Sequence, residues 1–377
     1  MQKIAKAQPK TKSIIIYMHK SHNKDLRKLT FSEAIREGID QAMLDDSNLI
    51  VIGEGAPDPK SIFMTTDGLV DKYGDKRVFD MPLSENGMTG VCIGAALNGT
   101  HVLMIHQRID FAMLAMDQII NNAAKWHYMF NGQSSVPIVI RVIVGRGWGQ
   151  GPQHSQNLQA LFAHIPGLKV ITPATAKDAK GMMIAALKDK NPVIFIEHRW
   201  LHHIEDAVPE EMYPSELDKA QILRYGSDVT IVANSLMTIE TMKAAKALSE
   251  VGIDVEIVDL RSIKPIDLDT IIKSVSKTKN LIVVDSAWKT GGISGEIISL
   301  VIESSFDLLD KAPLRITSPD HFVPTSHYLA DEYYQDAKQI AKQVLDFFDQ
   351  QDGIDIINKK FKIDGPVDVP NREFHGP

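Results

Sequence analysis

Short apolar runs with the composition of buried strands alternate, almost without interruption, with segments of helical period, and this constrains the chain more than any other feature of its sequence. LIVIGEG, RVFDM, HVLMIH, VPIVIRVIV, LKVI and PVIFIE follow one another between residues 49 and 197, separated by stretches such as FAMLAMDQIINNAAKWHYM and AKDAKGMMIAALKD. Continuous apolar strands of this kind need cover on both faces. The alternation therefore predicts an α/β fold, a parallel sheet with helices on either side. The first helix opens with a capping box, Thr30 to Glu33. Residues 199 to 226 break the rhythm with Pro209, Pro214 and a run of acids. A second α/β unit follows: DVTIVAN, a helix from Met237 to Ser249, DVEIVDL, a helix near Leu268, NLIVVDS, a helix after GGISGE, and LRIT. The reading is an N-terminal arm (1–28), a first domain (29–200), a linker (201–226), a second domain (227–350) ending in a helix from about Asp331 to Gln350, and a peripheral tail (351–377).

The chain has 377 residues, 44% hydrophobic and 24% charged, enough to bury a core for about two domains. Its net charge of −7 argues against partners that reward a basic surface, nucleic acid and anionic membranes among them. No apolar run approaches the roughly 18 residues of a membrane span. Cys92 is the one cysteine, so neither an intrachain disulfide nor a cysteine metal cage is available, and a cytoplasmic location is expected. The first 24 residues carry lysines and no acid, as an organellar transit peptide does, but they lack arginine; a disordered arm is expected.

Glu85 is the only formally charged residue between Met81 and Ile105, placed where a short strand (Arg77 to Met81) gives way to a helix of small residues (Gly90 to Asn98). Such a carboxylate either caps the helix or does chemistry. GRGWGQG, Gly145 to Gly151, follows a strand but misses the G-x-G-x-x-G spacing, and no P-loop is present. A mobile surface loop accounts for its glycines but leaves QHSQ (Gln153 to Gln156) unexplained. His198, His202, His203 and Glu205 offer an i,i+4 histidine pair without the H-E-x-x-H helix that zinc proteases use, so solvated or anion-facing histidines are the better expectation.

Taken in order, the strand, PLSENGMTG, a second strand ending HQRIDF, the helix, the glycine-rich loop, QHSQ, PGLKVITPATAKDAKG and NPVIFIE resemble the β subunits of thiamine-diphosphate-dependent 2-oxoacid dehydrogenases, the E1β chains of the pyruvate and branched-chain complexes. VEIVDLRSIKPIDLDTI, KTGG and RITSPD are similar to the transketolase C-terminal domain, and the likeness runs from about Leu29 to Leu345. The resemblance implies a role for each matched residue. Glu85 would exchange the proton at N1′ of the cofactor's pyrimidine, which its charge-free surroundings favour. Phe111 would stack on that ring, Gln107 would line the pocket, and His154 would serve proton transfer or acyl transfer to a lipoyl group. A structural potassium site around Ile138, Ala186, Leu187, Asp189 and Asn191 is implied as well; Asp189 and Asn191 are otherwise plain turn formers. The G-D-G…N motif that holds the diphosphate through magnesium does not occur in this chain. An α subunit is therefore expected to supply it in an α2β2 assembly that passes its acyl group to a lipoyl acyltransferase, E2.

The chain also departs from the family pattern. Ile105 and Arg108 stand where an acid and an aromatic are common, and HRWLHHI replaces a segment near N-E-L-L-Y-G. With Arg146, these place Arg108 and His202 among several cationic groups at the expected mouth of the cleft, as candidate contacts to substrate. Three functions fit: the E1β subunit acting on pyruvate or a relative; half of a split transketolase-like or specialised decarboxylating enzyme with a phosphorylated or sugar-like substrate; and a noncatalytic scaffold of the same fold.

Overall fold

The computed structural model describes residues 27–58, 60, 62–362 and 367–368. In the first half the strands are β1 (Lys28–Thr30), β2 (Leu49–Gly53), β3 (Val78–Phe79), β4 (His101–His106), β5 (Ile138–Val144), β6 (Lys169–Ile171), β7 (Val193–His198) and β8 (Glu205–Ala207). The second half contributes β9 (Gln221–Arg224), β10 (Val229–Ala233), β11 (Val255–Asp259), β12 (Ser262–Lys264), β13 (Leu281–Trp288) and β14 (Leu314–Ser318). Among the described residues they form a seven-stranded sheet in the order β12-β6-β7-β5-β4-β2-β3 and a five-stranded sheet in the order β14-β13-β10-β11-β9. From β6 to β3 every pairing in the first sheet is parallel, as the unbroken apolar runs predict. The capping box forms: Glu33 accepts from the Thr30 amide at 2.8 Å while Thr30 Oγ1 accepts from the Glu33 amide at 3.3 Å.

Several boundaries differ from the expectation. Most of the expected N-terminal arm lies outside the described residues, but Lys28–Thr30 pairs antiparallel with β8, inside the expected linker. The linker also supplies β9, which joins the second sheet. β12 comes from the second half of the chain yet pairs with β6, so the first sheet is completed by the second unit. FAMLAMDQIINNAAKWHYM is not one helix: Ile109–Ala112 gives way to a 3₁₀ turn (Met113–Ala115), a π-turn (Gln118–Ala123) and a short helix (Trp126–Met129). At the wide turn Gln118 lies against Gly90 of the facing helix, where a Cβ would come within 3.3 Å of Oε1. The last long helix is likewise two, His327–Tyr333 and Ala337–Phe347; Asp336 caps the second by accepting from the Gln339 amide at 2.9 Å. The tail is less peripheral than its composition suggests. Its helix Ile354–Lys360 buries Ile357 in the main core.

Two buried carboxylates set electrostatic limits on this fold. Arg141 of β5 donates to Glu197 of β7 through Nε (2.8 Å) and Nη2 (2.6 Å), both side chains being wholly buried, and His202 Nε2 lies 2.9 Å from the same carboxylate. Burial alone would raise Glu197, but the charge of Arg141 and the bond from His202 pull it down to about 2. Removing one member of such a pair strands the other charge, so Glu197→Gln is expected to cost about 3 kcal/mol in urea denaturation, with much of the loss recovered when Arg141→Met is added. Asp259, at the end of β11, is the reverse case. Burial raises it to about 7, helped by the charge of Asp178 and opposed by the Thr238 hydroxyl, which donates to Oδ1 at 2.9 Å; Oδ2 has no partner among the described residues. With its folded value above its unfolded one, Asp259 costs stability increasingly as pH rises from about 4 to about 7. Asp259→Asn should therefore raise the melting temperature at pH 8 and have little effect near pH 4.

Candidate active site

Because β3, β2, β4, β5 and β7 run the same way, the segments leaving their carboxyl ends open onto one edge of the sheet, the usual ligand-binding side of such folds. Glu54 follows β2, Glu85 follows β3, Gln107 follows β4, the glycine-rich loop follows β5, and Arg199 follows β7. Glu85 is the first residue of helix Glu85–Leu97, and its predecessor Ser84 makes no side-chain cap. It is half-buried, and its neighbour is a second carboxylate. Glu54 has its pKa raised, first by burial, then by the charges of Glu85 and Asp80 and by a hydrogen bond with Glu85. A helix cap has no need of a facing acid. Two facing carboxyls are a device of proton chemistry, and among the described residues Oε1 of Glu54 remains buried without a partner.

Gln107 fixes this pair from the next strand, its Nε2 donating to the Glu54 carbonyl at 2.9 Å. Phe111 belongs to the short helix Ile109–Ala112 and is half-buried, with its ring edge-on to the His154 imidazole at 5.2 Å and 87°. His154 reaches that position because the loop doubles back tightly: a Cβ on Gly145 would lie 2.0 Å from the His154 carbonyl. Gly147, at φ +78°, leaves equally little room, since a Cβ there would overlap the Asp368 carbonyl. The loop is thus a packed element rather than the mobile one that its glycines suggest. Asp110 accepts from Gln156 Nε2 at 2.8 Å, which ties helix Ile109–Ala112 to the QHSQ segment.

Of the cationic residues expected at the cleft mouth, two are engaged elsewhere. Arg146 is buried with its guanidinium 4.1 Å from the rings of both Trp200 and Tyr334, and Nη2 donates to the Val367 carbonyl at 2.9 Å. His202 is held by Glu197 beside Phe31. Both are buried, Arg146 by the aromatic rings around the loop and His202 against Glu197, Phe31 and Phe63. Arg108 is also buried rather than exposed, but its Nε has no partner among the described residues. His198 accepts from the Trp200 amide at 3.1 Å instead of joining His202, and no group of three metal-ligating side chains occurs among the described residues. For a potassium ion, Ala186, Leu187, Asp189 and Asn191 sit together at the end of helix Ala176–Leu187. The Asp189 carboxylate is already occupied by the Lys169 ammonium and the Asn191 amide, and the Ala186 carbonyl accepts from the Asp189 amide at 3.1 Å. The set therefore fits a monovalent cation only through remaining carbonyl oxygens. Glu54 was missed by sequence reasoning, although a carboxylate closing the apolar strand LIVIG is a signal that could have found it.

The family described as "Transketolase, pyrimidine binding domain" matches residues 27–203, and "Transketolase, C-terminal domain" matches residues 218–340. The chain is 42% identical over 291 residues to the pyruvate dehydrogenase E1 component subunit beta of Rickettsia felis, covering 77% of this chain and 89% of that one. It is 44% identical over 326 residues to the acetoin:2,6-dichlorophenolindophenol oxidoreductase subunit beta of Cupriavidus necator, covering 84% and 96%. A solved structure titled as a split gene transketolase, inactive beta4 tetramer, superposes with a TM-score of 0.69 at 21% identity over 87% of this chain and 99% of that chain, a likeness of fold alone. With paired carboxyls and a stacked aromatic at the carboxyl edge, and with both domains matched in order, the chain belongs to the β subunits of thiamine-diphosphate-dependent 2-oxoacid dehydrogenase E1 components.

Proposed function

We propose that this chain supplies the pyrimidine-activating half of an E1 active site that decarboxylates a 2-oxoacid, and that Glu85 and Glu54 act there as a facing carboxyl pair. The observation that carries the reading is the apposition of Glu54 and Glu85 at the same carboxyl edge of the sheet where Phe111 and His154 meet. Thiamine diphosphate, when bound, would supply a nucleophilic thiazolium carbon. Glu85 would hold and exchange the proton at pyrimidine N1′, with the Glu54 carboxyl, its proton affinity raised by burial and by the facing Glu85, set against it. Phe111 offers a flat apolar face that excludes water from the ring. Gln107 keeps Glu54 in place, and His154 moves a proton at the substrate side.

The remaining half of the site comes from an α subunit that holds the diphosphate through magnesium in an α2β2 assembly. Leu83 and Val91, flanking Glu85 in sequence, and Leu114, on the 3₁₀ turn packed against its helix, are all largely exposed, apolar surface suited to cover by another subunit. A lipoyl acyltransferase is the proposed acceptor, potassium is a proposed structural ion, and the cytoplasm is the proposed compartment. Cys92, buried and pushed up to about 12, is no redox group. Relatives named for pyruvate and for acetoin match this chain comparably well, so membership of the family alone does not select the substrate.

Glu85→Gln is expected to leave the fold and assembly intact while slowing exchange of the cofactor C2 proton by about 10²–10⁴-fold, measured by NMR in the reconstituted complex. Near-normal exchange would return Glu85 to the role of a helix-terminal charge. Calorimetry with thiamine diphosphate and magnesium should detect weak or no binding to the chain alone; tight stoichiometric binding would contradict the divided site.

A further inference from the structure

Beside the proposed site, two arginines converge on one aromatic ring without a counter-ion among the described residues. The Arg108 guanidinium lies 5.1 Å from the centroid of Phe63, and that of Arg199 lies 4.5 Å from it. Phe63 is held there by an unusual backbone, since it and Met64 adopt left-handed conformations at φ 54° and 68°, which cost energy in residues with side chains. The ring satisfies part of each cation's need for a partner. Neither arginine has a carboxylate within ion-pair range among the described residues. The acids nearest to them are already engaged: Asp110 accepts from Gln156, and Glu197 is held by Arg141 and His202.

The hydrogen-bonding capacity of the pair is also mostly unused. Arg108 donates through Nη1 to its neighbour's carbonyl at 2.8 Å and through Nη2 to Gln150 Oε1 at 3.3 Å, while Nε is buried without a partner among the described residues. Arg199 makes no side-chain hydrogen bond among the described residues and is half-buried. Two buried or half-buried guanidiniums that repel each other are costly to keep together unless something negative joins them. Their place is specific as well. Arg108 follows Gln107, its carbonyl accepts from the Phe111 amide at 3.2 Å, and its Gln150 partner belongs to the loop that carries His154.

We infer that Arg108 and Arg199, set around Phe63, form a subsite for a second anionic group, a carboxylate or a phosphate, on the 2-oxoacid or on the acyl acceptor. This inference rests on the E1 reading for its location but not for its chemistry. Planar guanidinium forks match planar or tetrahedral oxyanions, and a monoanionic substrate such as pyruvate has no second group to offer them. The proposal narrows the substrate class to molecules that carry a further negative charge beyond the reacting carboxylate.

The test has a binding arm and a turnover arm. Calorimetry on the full chain uses inorganic phosphate, succinate and, as the monoanionic control, acetate. Phosphate or succinate should bind more tightly than acetate, whichever wins identifying the anion, and Arg108→Met and Arg199→Met should each weaken that binding about tenfold or more, with Arg199→Lys intermediate. In the complex reconstituted with the α subunit, kcat/KM for 3-phosphohydroxypyruvate or 2-oxoglutarate relative to pyruvate should collapse in the double variant, while circular dichroism stays unchanged. Equal binding of all three probes, or variants that bind as the wild type does, would overturn the subsite. So would variants whose only defect is failed assembly, which would make the arginines contacts to the partner chain. Loss of anion binding in the arginine variants, together with normal C2 exchange in Glu85→Gln, would retain the subsite and reject the proposed catalytic role.

Discussion

A sheet covered by helices on both faces leaves room for charge only where its strands end. In the first sheet this constraint governs nearly every residue of interest: the interiors of β2, β4, β5 and β7 are apolar and buried, and the acids, amides and histidines gather beyond their carboxyl ends. Parallel pairing then makes these ends neighbours, so Glu54, Glu85, Gln107 and His154, far apart in the chain, share one edge. The exception is the Arg141–Glu197 pair inside the sheet, tolerable because adjacent strands place the two side chains in bidentate contact and His202 takes a further position on the carboxylate.

The second half of the chain shapes that edge as well as stacking beside it. Thr325 crowds Gly151, Tyr334 covers Arg146, and the Val367 and Asp368 carbonyls meet Arg146 and Gly147. Asp368 in turn accepts from His327 Nδ1 at 2.7 Å. The loop that presents His154 is therefore held by groups contributed more than a hundred residues later. Its glycines serve close approach of backbone to backbone rather than freedom of movement.

The acid pair and the arginine pair at this edge show two ways of using like charges. Glu54 faces Glu85, and that apposition together with burial raises the proton affinity of Glu54. Arg108 and Arg199 cannot readily give up their protons, so their apposition draws in an anion. The first fits the chemistry common to the family. The second involves Arg108 and the HRWLHHI segment, positions where this chain departs from the family pattern.

The sequence by itself determined the alternation of the main apolar strands with helices, the capping box at Thr30, the split into two α/β units and the isolation of Glu85, because each follows from local periodicity or from a single charge in an apolar run. It did not reveal Glu54 as the partner of Glu85, the enclosure of Arg146 between Trp200 and Tyr334, the passage of β12 into the first sheet, or the inward return of the tail. Each of these is a contact between residues tens to hundreds of positions apart, decided by which strand ends become neighbours and how deeply a side chain is buried. A cation looks the same in sequence whether it faces water or two aromatic rings. Only the tertiary structure supplied the desolvation and the neighbouring charges that separate a structural arginine from one poised to bind.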